Sequence, residues 1–127
     1  MLPFTLELVA GGPIAEQVIF AVKRAVVSGQ LRAGDKFPSV RQISQELRIN
    51  PNTAHRVVAA LVEQGVLVAT PAVGTVIAEV SKGTREVQAQ LLGPDLERFA
   101  VESKRLGLTQ KQVHSAFDAH WKKLEEK

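Results

Sequence analysis

The chain has no cysteine, no tyrosine and a single tryptophan. Without cysteine it cannot form disulfides, thiolate zinc sites, iron–sulfur clusters or a cysteine nucleophile, so the composition needs no oxidising compartment and points to the cytoplasm. It also lacks long hydrophobic runs. The most apolar uncharged stretch, Val66 to Ile77, is too short for a bilayer and is interrupted by Pro71 and Gly74, and no basic-then-apolar signal leads the chain, so no membrane partner is expected. A strong charge of one sign is missing too. Sixteen Lys and Arg against thirteen Asp and Glu give a net charge of +3, compatible with a nucleic-acid partner and too mild to establish one. What remains is 127 residues, 45% hydrophobic and 23% charged, enough for one globular domain or a small domain plus an accessory piece and too few for a large multi-domain enzyme.

The placement of charge is more informative than its sum. Residues 1–80 are nearly neutral, yet between Lys36 and Arg56 the only charged side chains are the cations Lys36, Arg41, Arg48 and Arg56 and the single acid Glu46. Such a local concentration suits phosphate contacts; a solvated polar face produces the same pattern.

Phe4, Leu6 and Leu8 alternate and predict a short extended lead-in before the Gly11-Gly12 turn. Pro13 suits a first helical position, and Ile14, Val18, Ala21, Val22 and Ala25 recur at helical spacing until Gly29 offers a C-cap. Phe37, preceding Pro38, is pushed into extended backbone. Ser39 with Gln42 reads as a capping box for a second helix carrying Val40, Ile43 and Leu47 inward. Asn50 and Pro51 start a third helix almost at once, which forces a steep helix-turn-helix crossing, and Gly65 ends it. Val66–Ala69 and Thr75–Ile77 then read as two strands around the turn Thr70-Pro71-Ala72-Val73-Gly74. The expected fold is mainly α with a small β-hairpin, a winged helix-turn-helix over residues 1–80.

Residues 81–127 are expected to form a C-terminal helical hairpin. Leu92, Leu96, Phe99 and Leu106 define one apolar stripe, and Val113, Phe117, Trp121 and Leu124 another. Gly107 separates them and Thr109 with Gln112 forms a second capping box, while Gly93-Pro94 either kinks the first helix or divides it.

The ordered run Ser28-Gly29-Gln30-Leu31-Arg32-Ala33-Gly34-Asp35-Lys36-Phe37-Pro38-Ser39-Val40-Arg41, followed by Leu47, Asn50-Pro51-Asn52-Thr53, Leu61, Gly65 and Gly74-Thr75, resembles the DNA-binding domain of GntR-type bacterial transcription regulators. The Asn-Pro-Asn-Thr start and short helical tail are similar to the YtrA-like subfamily, in which no large effector domain follows and the tail mediates dimerisation. The resemblance implies a homodimer on double-stranded DNA, a DNA-contacting role for Arg41 in Pro-Ser-x-Arg, and a phosphate or base-edge role for Thr53. It implies a contact position at His55 as well.

The residues support that reading from their own chemistry. On a helical wheel Ala54, Val57, Val58 and Leu61 form the buried face of the third helix, leaving Asn52, Arg56 and Ala59 opposite, flanked by Thr53 and His55. Asn52 can pair with the N6/N7 edge of adenine, Arg56 with the O6/N7 edge of guanine, and Ala59 permits close approach to a major groove. An ordinary polar surface face is the competing reading. Lys36 and Arg48 join as phosphate candidates, and Ser39 and Asn50 stand at helix starts whose amides favour anions. The wing departs from the family: Pro71-Ala72-Val73 carries no cation and Ala72 replaces a glycine, leaving Gly74 and Thr75 with Thr70 as its candidate contacts.

For the tail, Leu92, Leu96, Phe99, Leu106, Val113, Phe117 and Trp121 are the candidate dimerisation residues, with packing against the first helix of the same chain as the alternative. His114 and Asp118 share a helical face without a third ligand, and no phosphate loop or catalytic constellation appears, so neither a metal, a cofactor nor catalysis is expected. The leading expectation is a sequence-specific, homodimeric transcriptional repressor on an inverted repeat, with any small-molecule effector unidentified. A winged helix serving as a protein-interaction scaffold is the alternative.

Overall fold

The computed structural model describes residues 2–6, 8–79 and 83–125. The chain divides into two compact units, one before and one after the segment at Val80 to Lys82. The boundary expected between residues 80 and 81 lies outside the described residues.

In the first unit, α1 (Ile14–Val27) buries Val18, Ala21, Val22 and Ala25, the face its periodicity predicts. Pro13 is the residue just before the helix rather than its first turn, with extended backbone, and it offers no side-chain cap. The Gln17 side chain instead ties the lead-in down: its Nε2 donates to the Val9 carbonyl at 3.0 Å and its Oε1 accepts from the Val9 amide at 2.7 Å. The lead-in joins no sheet among the described residues. Its Phe4 is buried and stacks on Phe37 with ring centroids 5.9 Å apart.

Helix α2 (Val40–Leu47) begins at Ser39, whose Oγ accepts from the Gln42 amide at 3.1 Å. The expected capping box is only half formed, because the Gln42 side chain donates forward to Glu46 at 2.9 Å instead of back to Ser39. Helix α3 (Pro51–Glu63) starts at Asn50, whose Oδ1 accepts from the Asn52 amide at 2.7 Å, and buries Ala54, Val57 and Leu61. At its end Gly65 adopts φ +78° while the amides of Gly65 and Val66 return to Val62 and Leu61. The end of α2 has the same shape with a different residue. Arg48 takes φ +54°, and the amides of Arg48 and Ile49 both donate to the Ser44 carbonyl. A side chain in that region costs roughly 1–2 kcal/mol that glycine would avoid.

Strands β1 (Leu67–Thr70) and β2 (Gly74–Ile77) form the antiparallel hairpin, with Leu67 opposite Ile77 and Thr70 opposite Gly74. At its tip the Val73 amide donates to the Thr70 carbonyl, with Pro71 and a left-handed Ala72 at φ +66° between them, the pattern of a type II turn whose third position normally holds glycine. A third segment, not expected from sequence, lines the other edge of β2: Lys36 bridges to Val76, and the Phe37 amide donates to the Thr75 carbonyl at 2.8 Å. The Phe4–Phe37 stack lies on this same segment, so lead-in, wing and the approach to α2 share one core with Ile43, Ile49, Leu67 and Ile77.

The second unit is helical. Helix α4 (Arg85–Gln90), capped by Thr84, runs into a π-helical turn (Leu91–Asp95) and on into α5 (Leu96–Arg105). Gly93-Pro94 falls in that π turn, which separates the short α4 from α5: the Leu96 amide reaches back five residues to the Leu91 carbonyl, and the wider turn takes in the proline. Gly107 ends α5, and α6 (Gln110–Glu125) follows behind a complete capping box in which the Thr109 amide donates to Gln112 Oε1 at 2.8 Å and the Gln112 amide to Thr109 Oγ1 at 3.1 Å. No described residue of α6 is buried. Among the described helices none is long and apolar enough to cross a membrane.

Candidate nucleic-acid interface

The face of α3 turned away from the core carries Asn52, His55, Arg56 and Ala59, all exposed, with Thr53 half-buried at its margin. Burial of Ala54, Val57 and Leu61 fixes that orientation, because residues three and four apart share one side of a helix. The exposed positions occupy the first three turns. A guanidinium and a carboxamide one turn apart, with alanine next along the face, give donors and acceptors matched to base edges and little bulk to hold them off.

Lys36, Arg41 and Arg48 are likewise exposed, on the segment paired with β2, in the first turn of α2 and in the turn between the two helices. Among the described residues no carboxylate forms an ion pair with any of these three or with Arg56; the ion pairs present are Arg98 with Asp95 and Arg105 with Glu102, both in the second unit. The cations are thus free to meet phosphate. Ser39 and Asn50 are partly committed, since their oxygens cap α2 and α3, leaving the Ser39 hydroxyl proton and the Asn50 amide nitrogen for a ligand.

The wing brings a different chemistry. No charged residue occurs from Val66 to Ala78, and the residues bounding it in sequence on the charged side are Glu63 and Glu79. Gly74, at φ +100°, is exposed, Thr75 is half-buried with its carbonyl used by Phe37, and Val68 and Val73 are 45% and 50% exposed. Sequence reading missed one positional link: the pairing of Lys36 with β2 joins a cation to the wing, and the alternation signal is too short there to reveal it.

Three helices, with α2 and α3 joined by the short turn Arg48 to Asn50, and a following hairpin define a winged helix-turn-helix, a class of module built to present its last helix to DNA. Residues 14–77 match the bacterial regulatory proteins of the gntR family. The likeness to individual relatives runs past that region into the helical unit: the chain is 33% identical over 100 residues, 79% of each chain, to the uncharacterised HTH-type transcriptional regulator YhcF of Bacillus subtilis. It is 29% identical over 103 residues, 80% of this chain and 79% of the relative, to the HTH-type transcriptional repressor YtrA of the same organism. A crystal structure titled transcriptional antiterminator, from Listeria monocytogenes, superposes with a TM-score of 0.86 at 25% identity and covers 98% of this chain and 93% of its own. The chain belongs to the GntR family of bacterial transcription regulators, with a short YtrA-like tail, and its relatives are regulators and not enzymes.

Proposed function

We propose that the protein is a cytoplasmic, homodimeric repressor that reads an inverted-repeat operator by placing α3 of each copy in a major groove. The exposed Asn52–Arg56–Ala59 face carries this reading, because it is the one helical surface of the first unit that combines base-matching groups, small side chains and neighbouring unpaired cations. Asn52 and Arg56 read bases; Lys36, Arg41 and Arg48 hold phosphates, joined by Ser39, Asn50, Thr53 and His55 at the margins; Gly74 and Thr75 supply what the wing contributes. Repression follows the sense in which two relatives are named, YtrA and the vitamin B6 salvage repressor PtsJ of Salmonella typhimurium. Homodimerisation rests on the apolar residues left exposed in the helical unit, among them Leu92 at 71%, Leu106 at 61% and Phe117 and Trp121 at 59% each.

Titrating the protein against its own upstream DNA tests the reading. Three phosphate contacts from each of two copies predict a slope of about −5 in log K against log salt, from about −0.9 per contact. An inverted repeat should be bound at least about a thousandfold more tightly than random DNA. Equal affinity for both would leave the interaction-scaffold reading in its place.

A further inference from the structure

Histidine is the side chain whose charge ordinarily changes between about pH 5 and pH 8, and the chain has three. His114 and His120 lie on α6 in the second unit. His55 is the one histidine of residues 1–80, and it stands exposed in the second turn of α3, on the face that carries Asn52, Arg56 and Ala59. The side chains three and four positions from it along the helix, Pro51, Asn52, Val58 and Ala59, are all uncharged. Helices α1 and α2 and strand β1 pack against α3. Their charged side chains are Glu16, Lys23 and Arg24 on α1 and Arg41 and Glu46 on α2, with none on β1; α3 itself adds Arg56 and Glu63, and the turn before it adds Arg48. Among the described residues no carboxylate pairs with His55: the ion pairs present lie in the second unit, and Glu46 accepts from Gln42.

We infer that His55 makes operator binding proton-linked: the imidazole of each copy takes up a proton as it meets a DNA phosphate, so that affinity rises as the pH falls through neutrality. The inference deepens the DNA-binding reading and rests on it. A neutral imidazole brings the duplex one N–H donor, whereas the imidazolium brings two donors and a positive charge. Duplex DNA carries one negative charge per about 1.7 Å of its axis, and a negative charge within about 4–6 Å of an imidazole raises its proton affinity by about tenfold or more. The proton is therefore held more tightly in the complex than in the free chain. The sign follows: the added affinity is fully present in acid and is lost as the pH rises through the range in which the bound imidazole gives up its proton. Lysine and arginine ordinarily keep their charge across this range, as do aspartate and glutamate, which leaves His55 as the responsive side chain of the α3 face.

Fluorescence anisotropy of the full chain on its own upstream DNA, from about pH 5.5 to about pH 8.5 and at several salt concentrations, tests the inference, with circular dichroism showing the fold unchanged at each pH. The parent should bind roughly tenfold more tightly per copy at the acid end, up to about a hundredfold for two copies on an inverted repeat, and its salt slope should steepen there by about 0.9 per copy. His55→Gln, which keeps the position uncharged, should bind at the parent's alkaline level at every pH with the shallower slope. His55→Lys, charged throughout, should hold near the parent's acid level with the steeper slope. Changing His114 and His120 together to glutamine should leave the response in place. A response that survives His55→Gln, is lost with His114 and His120, or leaves the salt slope unmoved overturns the inference, as does a parent that binds its operator equally tightly at every pH. An operator bound no better than random DNA at any pH overturns the DNA-binding reading itself, and the inference with it.

Discussion

Replacing Arg56 by alanine isolates base recognition from folding. The side chain is exposed in the second turn of α3 and engages no carboxylate among the described residues, so its removal leaves no buried group unsatisfied and should change stability by less than about 0.5 kcal/mol. The cost therefore falls on DNA. A bidentate guanidinium–guanine pair is worth about 1–3 kcal/mol of discrimination in each half-site, so a dimer that loses both loses about 2–6 kcal/mol on the intact operator, roughly 30-fold to more than 10,000-fold. Fluorescence anisotropy across operators mutated one base pair at a time should show the free-energy loss falling by about half at a single position in each half-site, where the parent has already lost its guanine, and vanishing only when both positions are changed. The salt dependence should keep its slope, because a base contact releases no condensed counterion. A loss spread uniformly over all sequences, with the slope shallower by about 0.9 for each arginine removed, would refute base reading and make Arg56 a phosphate anchor.

Phe4→Ala removes half of the Phe4–Phe37 stack and should lower unfolding free energy by about 3 kcal/mol, measured by urea denaturation followed by far-UV circular dichroism. Ala72→Gly exchanges a left-handed strain of roughly 1–2 kcal/mol for about 0.4–1 kcal/mol of extra chain entropy in the unfolded state, a net gain of about 0.5–1 kcal/mol and a few degrees in thermal midpoint. Arg48→Gly should gain stability by the same mechanism yet bind DNA more weakly, with a slope shallower by about 0.9 per copy. Val73→Lys, at the half-exposed wing tip, should raise affinity for random DNA and steepen the salt slope; an unchanged slope would mean the tip stays clear of phosphate.

The first unit was largely legible because each of its elements is announced by side-chain chemistry that acts locally. Ser39 and Asn50 cap the helices that follow them, Gly65 ends α3 in the conformation only glycine takes freely, and the Ala54–Leu61 face is buried where helical spacing puts it. What escaped was non-local or compensating. Gln42 has two partners within reach and takes Glu46, so a capping box legible in sequence is half made, whereas Thr109 and Gln112 complete theirs. The pairing of Lys36 with Val76 joins residues forty positions apart through a single bridge, too little to leave a period-two signature. The π turn hides for a related reason: periodicity presumes a constant rotation per residue, and the turn at Pro94 breaks that constancy.

Arg48 and Ala72 are the described non-glycine residues with positive φ, one in the turn between α2 and α3 and the other at the tip of the hairpin. Each occupies a position where glycine is the ordinary choice, so each leaves stability unclaimed. At Arg48 the side chain adds an exposed cation between the two helices, and on the proposed reading a charge-assisted phosphate contact would outweigh the backbone cost. At Ala72 the residue adds no charge, and what it does is stiffen the tip: behind Pro71 it narrows the backbone of a turn that glycine would loosen. On the proposed reading, electrostatic attraction to DNA would come from the approach to α2 and the turn after it, while the uncharged wing would add shape without adding nonspecific affinity. A regulator built this way depends on α3 for most of its discrimination, which is why a substitution at Arg56 should be felt at one base pair and a substitution at Arg48 along the whole duplex.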